Sequence, residues 1–218
     1  MDDRELLLPW THARTERSVV LLLVRHGQTE WNATNRFLGS SDIPLNSVGR
    51  AQAAQLSTSL PGALAGVYSS PLSRALDTAR SVHDAPVVES ALAELHQGEL
   101  EGLTAAQAIS RHPTFFQQWA VDPGPAQVPG GETLLDLVAR VMPRLQALAC
   151  AHEPGQVIGV FSHQMVISTA TCTVREHPLT RWRDHRVGNA QATALAWREG
   201  RFAVLGQRLA FFEEVRDA

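Results

Sequence analysis

The chain contains no lysine, and all 19 of its basic side chains are arginines. This absence excludes a mechanism that needs a lysine Schiff base, and it excludes a phosphate-binding loop of the Gly-x4-Gly-Lys type. The net charge of the 218 residues is −3. Because the sequence has no excess of positive charge, we expect neither nucleic acid nor an acidic membrane surface as a partner.

Cysteine and long apolar runs are also scarce. Cys150 and Cys172 are the only cysteines and form no C-x2-C pair, so we expect a reducing, cytoplasmic setting rather than a disulfide scaffold or structural zinc site. The apolar run 6–8 is too short for a signal peptide core, and no later run reaches the ~18 residues of a membrane helix. We expect residues 1–17 to form a tail and residues 18–218 a single domain.

Short apolar runs alternate with helical patterns along the chain. Strands are predicted at 19–24, 66–69, 85–89 and 156–161, and a closing hairpin at 192–198 and 201–207. One helix is predicted with Asn46 or Ser47 as its N-cap, and a second begins at Pro71. Further helices are predicted over 103–120, with a break near His112-Pro113, and over 132–150. The alternation predicts a three-layer α/β/α sandwich with a mostly parallel central sheet and an antiparallel edge strand.

Three of the predicted strands end in polar residues of related chemistry. These residues are Arg25-His26 after the first strand, Ser69-Ser70 with Arg74 after the second, and Ser162-His163 after the fourth. A single such residue is most often a solvated strand end, but three strand ends with the same chemistry are much less common by accident. Ligands bind beyond the carboxyl ends of parallel strands, and arginine matches phosphate oxygens bidentately. The sequence therefore predicts a site for a dianion at this edge of the sheet.

Several sequence blocks occur together in an order and spacing typical of one family. They are VLLLVRHGQTEWN (20–32), FLGSSDIPLNSVGRAQA (37–53), SSPLSRALDTA (69–79), ELHQGELEG (94–102), PGGETLLD (129–136) and FSH (161–163). Together they resemble the histidine phosphatase superfamily, which has the phosphoglycerate mutase-like fold. The pattern is most similar to that of the broad-specificity phosphatase branch.

The resemblance implies roles for individual residues. His26 corresponds to the nucleophile that accepts the phosphoryl group, and Glu94 corresponds to the general acid and base. The side chains that it implies for binding substrate are Arg25, Asn32, Arg74 and His163, of which Arg25, Arg74 and His163 also count as catalytic because they stabilise the developing charge. Gln164 stands where many members have glycine, and we expect it to narrow the pocket or contact the substrate. The family chemistry needs no metal and no other cofactor.

The resemblance leaves three activities open. The first is metal-independent hydrolysis of small phosphomonoesters through a phosphohistidine, which ELHQGELEG favours because it resembles the phosphatase branch. The alternatives are a cofactor-dependent phosphoglycerate mutase and a non-catalytic member that binds phosphorylated ligands. A cysteine phosphatase is excluded, since the arginine of its C-x5-R motif is replaced by Gln156 after Cys150 and by Pro178 after Cys172.

The substrate and the assembly are less constrained by the sequence. The expected ligand is a small phosphorylated metabolite, and a homodimer is compatible with the sequence. Segment 95–130 carries Phe115, Phe116 and Trp119, which at helical spacing are more often core residues than ligand contacts. If they did face the site, they would favour a partly apolar leaving group.

Overall fold

The computed structural model describes residues 17–60 and 64–211. Six strands form one sheet in the order β3-β2-β4-β1-β5-β6. The strands are β1 Val19–Arg25, β2 Gly66–Ser69, β3 Val87–Val88, β4 Val157–Ser162, β5 Ala192–Arg198 and β6 Arg201–Leu209. The predicted tail lies outside the described residues except for Arg17.

The helices of the described residues follow the predicted positions with two additions, the single turn at 30–33 and the helix at 164–174. They are α1 Glu30–Ala33, α2 Ser47–Ser59, α3 Ser73–Arg80, α4 Ala105–Arg111, α5 Pro113–Val121, α6 Leu134–Cys150 and α7 Gln164–Val174. The predicted N-cap of α2 is confirmed, because the side chain of Asn46 accepts a hydrogen bond from the backbone N–H of Gly49. Helix α3 begins two residues after Pro71, since Leu72 is still extended as its N-cap.

The sheet is parallel at its centre and antiparallel at one edge. Strand β4 pairs in parallel with both β1 and β2, and β2 pairs in parallel with β3. On the other side, β5 is antiparallel to β1, and β6 is antiparallel to β5. The predicted mostly parallel sheet is confirmed, and its antiparallel part is a pair of strands rather than a single one.

The aliphatic run of β1 is buried on both faces of the sheet. Val19, Leu21 and Leu23 belong to a core with α6 and α7, whereas Val20, Leu22 and Val24 belong to a second core with α2. Alternate side chains of a strand point to opposite faces, so each set packs against its own helical layer. This packing confirms the three-layer architecture and fixes the strand that leads into Arg25 and His26.

Helix α7 is the one α-helix of more than one turn that the sequence patterns did not predict. Eight of its residues, 165–172, are buried in succession, so it has no polar face to give a helical period. Its hydroxyls bond back along the helix: Thr169 to the carbonyl of Met165, Thr171 to that of Ile167, and Thr173 to that of Thr169. In the described part of the chain, no helix has both the length and the apolar content that crossing a bilayer requires.

Candidate active site

The ends of three neighbouring strands form the floor of the site. The backbone N–H of His26 donates to the carbonyl of Ser162 at 3.0 Å, and that of Ser70 donates to the carbonyl of Phe161 at 3.0 Å. The ring centroids of His26 and His163 lie 5.2 Å apart. The structure therefore brings together the strand ends that the sequence pattern placed at one edge.

His26 is held in one tautomer inside this floor. Its Nδ1 lies 2.6 Å from the carbonyl oxygen of Gly27, and a carbonyl can only accept, so Nδ1 carries the proton and Nε2 keeps its lone pair. Burial, followed by the charges of Arg74 and Arg25, lowers the pKa of His26 well below its ordinary value. The ring is therefore neutral at physiological pH, as a nucleophile must be.

Arg74, which is buried, and Arg25, which is half-buried, face the histidines, and part of each guanidinium has no partner among the described residues. Arg25 donates to the carbonyl of Val187 at 2.9 Å, and Arg74 donates to the carbonyls of Gly39 at 2.6 Å and Ser41 at 2.9 Å. Burial is the largest influence on each and lowers the pKa of each arginine to about 10, so both stay charged at neutral pH. Their Nε atoms are buried without a hydrogen-bond partner among the described residues. A bound phosphate would supply the missing acceptors.

His163 and Asn32 complete the set of side chains implied for phosphate. His163 is fully buried, and its Nε2 lies 2.7 Å from the hydroxyl of Ser70, while its Nδ1 is buried without a partner in the described chain. The carboxamide oxygen of Asn32 accepts from the Thr29 N–H and from Asn189 Nδ2, each at 3.1 Å. These bonds fix the amide orientation, so the NH2 of Asn32 is the group left to donate.

Glu94 is buried next to the turn between β4 and α7. Its two carboxyl oxygens accept from the backbone N–H groups of Leu95, at 2.8 Å, and Met165, at 3.1 Å. Burial raises the pKa of Glu94 above its ordinary value, although these hydrogen bonds and the charges of Arg74 and Arg25 act against the rise. A carboxyl group whose pKa is raised in this way is suited to donate a proton.

Arg140 and Glu132 position the segment that carries Glu94, a role that the sequence reasoning missed. Arg140 donates to the carbonyls of Ala91 and Ala93, each at 2.8 Å, and to that of Glu94 at 3.0 Å. It is also paired with Glu132 at 2.8 Å. The PGGETLLD block contains Glu132, so one of its functions is to fix this arginine. No local sequence signal connects Arg140 with carbonyls more than forty residues away.

Glu101 organises the loop that orients Arg74. Its carboxylate accepts from the backbone N–H and the hydroxyl of both Ser40 and Ser41. The carbonyls of Gly39 and Ser41, in the same loop, accept from Arg74. Burial alone would raise the pKa of Glu101, but the bonds from Ser41 and Ser40 outweigh it and lower the pKa. Glu101 thus acts on the site through a loop, a contact between distant segments that no local sequence pattern indicates.

Gly27 is needed for close packing of two backbone segments. The N–H of Gly27 donates to Thr78 at 3.0 Å, so this group is not left to bind phosphate. A Cβ on Gly27 would lie 2.4 Å from the carbonyl oxygen of Gly49, and a Cβ on Gly49 would lie 2.0 Å from that of Gln28. The glycine pair seats the loop after β1 against the start of α2.

Gly49→Ala should destabilise the protein by about 1–3 kcal/mol, because neither backbone segment can yield without moving the loop that follows His26. Thermal and urea unfolding of the purified protein would measure the change. Gly124→Ala is the matched control, since the atoms nearest its added Cβ belong to side chains, with Asp122 Oδ1 at 3.2 Å. Equal stability of Gly49→Ala and Gly124→Ala would contradict the proposed backbone clash.

The side chain of Gln164 contacts Arg25 on one side and Ser168 on the other. Its Oε1 accepts from Arg25 at 3.3 Å, and its Nε2 donates to Ser168 at 2.6 Å. Ser168 in turn donates to the carbonyl of His185 at 3.2 Å. The structure therefore links Gln164, the predicted substrate-binding residue, to Arg25, and direct contact of Gln164 with substrate stays a prediction.

The aromatic side chains of segment 95–130 form part of the core. Phe115 is buried, and its ring centroid lies 5.0 Å from that of Phe116 and 5.4 Å from that of Trp119. Phe116 and Trp119 pack against the same core. The core interpretation is thereby confirmed, and these aromatics give no support to an apolar leaving group.

The pKa of His163, like that of His26, is lowered well below its ordinary value, first by burial and then by the charge of Arg74, so both rings are neutral. A mostly parallel sheet that presents two neutral histidines, two charged arginines and a buried carboxyl at one edge defines an enzyme of phosphoryl transfer. The model of the histidine phosphatase superfamily (branch 1) matches residues 21–209. The chain belongs to this superfamily.

Known proteins resemble this chain over most of its length. Phosphoserine phosphatase 1 of Hydrogenobacter thermophilus is 29% identical over 192 residues, 86% of this chain and 90% of that protein. A 2,3-bisphosphoglycerate-dependent phosphoglycerate mutase 2 of Gloeobacter violaceus is 38% identical over 149 residues, 59% of this chain and 66% of the mutase. The structure of mycobacterial glucosyl-3-phosphoglycerate phosphatase in complex with VO3 has a TM-score of 0.76 and 31% identity, and covers 89% of this chain and 99% of its own. The predicted family and phosphomonoesterase class are confirmed.

Proposed function

We propose that the protein hydrolyses small phosphomonoesters through a phosphohistidine formed on His26. The observation that carries this proposal is the state of His26 itself. Its Nδ1 donates to the Gly27 carbonyl, and its pKa is lowered by burial and by the charges of Arg74 and Arg25. The Nε atoms of these two arginines have no hydrogen-bond partner among the described residues. A neutral imidazole next to an anion pocket is the arrangement that nucleophilic attack on phosphorus needs.

The proposed reaction has two steps that share one acid–base residue. In the first, the Nε2 lone pair of His26 forms the N–P bond, the ester P–O bond breaks, and Glu94 gives its proton to the departing alkoxide. In the second, the Glu94 carboxylate takes a proton from water, whose oxygen attacks phosphorus and breaks the N–P bond. Phosphate leaves, and His26 and Glu94 return to their starting states.

The proposed chemistry takes its positive charge from arginine. Arg25 and Arg74 would bind the equatorial oxygens of the transferring phosphoryl group, where charge spreads in the transition state. His163 and Asn32 would add hydrogen-bond donors, so the proposed mechanism uses no metal. We also propose a cytoplasmic location, which the free thiols of Cys150 and Cys172 favour.

Phosphoglycerate mutase activity is the second candidate, because a mutase is among the relatives of the chain. Phosphatase-named relatives cover more of it, which favours hydrolysis. The two are separated by supplying 3-phosphoglycerate and measuring both inorganic phosphate and 2-phosphoglycerate. Phosphate release faster than isomer formation is expected, and the reverse order would establish a mutase.

The phosphohistidine is tested by trapping it. The wild-type protein is mixed with a 32P-labelled phosphomonoester, stopped in alkali, and digested to locate the label. We expect a phosphopeptide containing His26 whose label survives alkali and is lost in acid, as expected for a phosphoramidate. Label on a different residue, with turnover of p-nitrophenyl phosphate intact, would contradict the proposal.

Gln164 is proposed to position Arg25. Two substitutions of Gln164 should distinguish the effect of moving Arg25 from the effect of neutralising its charge. Gln164→Ala removes the contact and should lower kcat/KM less than tenfold. Gln164→Glu would place a carboxylate next to Arg25, neutralise its charge and repel the substrate dianion, so it should lower kcat/KM by about tenfold or more. The inhibition constant of inorganic phosphate should rise in the same order. A larger loss in the alanine variant would indicate direct substrate contact instead.

A further inference from the structure

A cavity of about 390 Å³ opens next to Arg25 and outside the floor that holds the two histidines. Its wall combines arginine, asparagine and aromatic side chains: Arg25, Trp31, Asn32, Asn35, Arg36, Phe37, Ala105, Arg186 and Asn189. None of these lining residues is acidic. The volume is at the lower end of the range for small-molecule sites, so it suits a leaving group of a few carbon atoms.

Arg36 and Arg186 give the cavity more positive charge than the phosphoryl group requires. Both are exposed, and no ion pair in 17–60 or 64–211 includes either of them. Arg36 donates to the carbonyl of Gly102 at 2.7 Å, which fixes its direction without neutralising its charge. The charge of Arg186 acts on Arg25 and contributes to the lowered pKa of that arginine. An anion bound between like charges that act on each other in this way would relieve their repulsion.

Amide and aromatic side chains also line this cavity. Asn189 donates from Nδ2 to the carbonyl of His26 and to the side-chain oxygen of Asn32, each at 3.1 Å. These bonds connect the cavity wall to the residue that follows β1. Trp31 and Phe37 are half-buried and supply apolar surface for a short carbon chain. The wall therefore combines cationic, amide and aromatic groups around one space.

We propose that this cavity, called here the leaving-group cavity, binds a second anionic group of the substrate through Arg36 and Arg186. The proposal rests on the proposed function, because the cavity adjoins Arg25 and the phosphoryl group is placed against Arg25, Arg74 and His26. The substrate class is then a phosphomonoester whose alcohol also carries a carboxylate or a second phosphate. The anionic group takes no part in bond making; it orients the ester oxygen.

The test compares substrates that differ only in the second charge. 3-Phosphoglycerate against glycerol 3-phosphate exchanges a carboxylate for a neutral hydroxymethyl group, and fructose 1,6-bisphosphate against fructose 6-phosphate adds a second phosphate. We expect at least one pair to show a preference of about tenfold or more in kcat/KM for the anionic member. A preference in the first pair alone identifies a carboxylate, and one in the second alone identifies a phosphate.

Substitution of the two arginines then tests whether they are the source of this substrate preference. In the double variant Arg36→Ala/Arg186→Ala the kcat/KM ratio within the preferred pair should fall about tenfold or more. Arg183→Ala is the matched control, because this exposed arginine lies over Trp182 at 4.5 Å and does not line the cavity. Its ratio should match that of the wild type. A wild-type ratio near one in both pairs, or a ratio unchanged in the double variant, would overturn the proposal.

The cavity and the phosphatase proposal fail in different ways. Loss of the proposed function would show as no turnover of p-nitrophenyl phosphate by the wild type. In that case calorimetric binding of 3-phosphoglycerate and glycerol 3-phosphate, and of the two fructose phosphates, still tests the cavity. Tighter binding of an anionic member that disappears in the double variant would support it, and equal binding within both pairs would reject it.

Discussion

His26→Ala should lower kcat for p-nitrophenyl phosphate by at least about 10³-fold, because the covalent step is lost. The side chain supplies the Nε2 lone pair that attacks phosphorus in the proposed mechanism, because the Gly27 carbonyl fixes the proton on Nδ1. Arg25 and Arg74 remain and still attract the dianion. Their positions alone cannot replace a covalent step.

The control for this loss is His83→Ala. His83 lies in the turn after α3, where its Nδ1 accepts from the N–H of Ala85 at 3.1 Å. Its hydrogen bonds within the described residues, to Ala79 and Ala85, involve no residue of the site, so turnover should stay close to that of the wild type. Equal rates for His26→Ala and the wild type would exclude the phosphohistidine mechanism.

Folding of the His26→Ala variant is checked through its ligand. Inorganic phosphate should still raise its melting temperature, because Arg25, Arg74 and His163 keep their unpartnered nitrogen atoms. A variant that is stabilised by phosphate yet inactive separates loss of the nucleophile from loss of the fold. A variant without phosphate stabilisation would show that His26 is also needed to build the pocket.

The features that sequence patterns could predict are those encoded locally. The run 19–24 was predicted as a strand because six consecutive aliphatics suit burial on both faces, and the strand is observed as β1. The convergence of Arg25, Arg74 and His163 followed from the rule that parallel strands present their carboxyl ends at one edge. The edge was thus predictable without knowledge of strand order.

Contacts between distant segments were beyond the patterns. Arg140 reaches the carbonyls before and at Glu94, and Arg36 and Arg186 meet at one cavity from opposite ends of the chain. The sequence around a charged residue on a helix or loop does not indicate which distant residue it will contact. Helix α7 was not predicted for a different reason. Its hydroxyl groups donate to backbone carbonyls of the same helix, so polar residues can be buried on every side and the sequence shows no amphipathic period.

Glu94→Gln should lower kcat for glycerol 3-phosphate by about 10²–10⁴-fold and have a smaller effect on p-nitrophenyl phosphate. An alkoxide is strongly basic and needs a proton as it leaves, whereas p-nitrophenolate is a stable anion. Gln cannot deliver that proton, although its oxygen can still accept from the N–H of Leu95 or Met165. The two substrates therefore report proton donation separately from phosphate binding.

The pH dependence of kcat/KM gives an independent measure of the same residue. Attack needs neutral His26, so activity falls as pH drops through its pKa, which burial and the two arginines place well below the ordinary 6.5. Proton donation needs protonated Glu94, so activity falls as pH rises through a pKa that burial raises above 4.5. The wild-type profile for glycerol 3-phosphate should therefore decline on its alkaline side.

That alkaline decline should disappear in Glu94→Gln, while the acidic decline set by His26 should remain. Glu99→Gln is the matched control, since Glu99 lies in the same ELHQGELEG segment but its side chain is 66% exposed. Its profile should keep both limbs. If Glu94→Gln retained the alkaline limb and lost activity equally on both substrates, the carboxyl would be a structural acceptor for Leu95 and Met165. The proton for the leaving group would then have to come from another group in the pocket, of which His163, with its unpartnered Nδ1, is the nearest in chemistry.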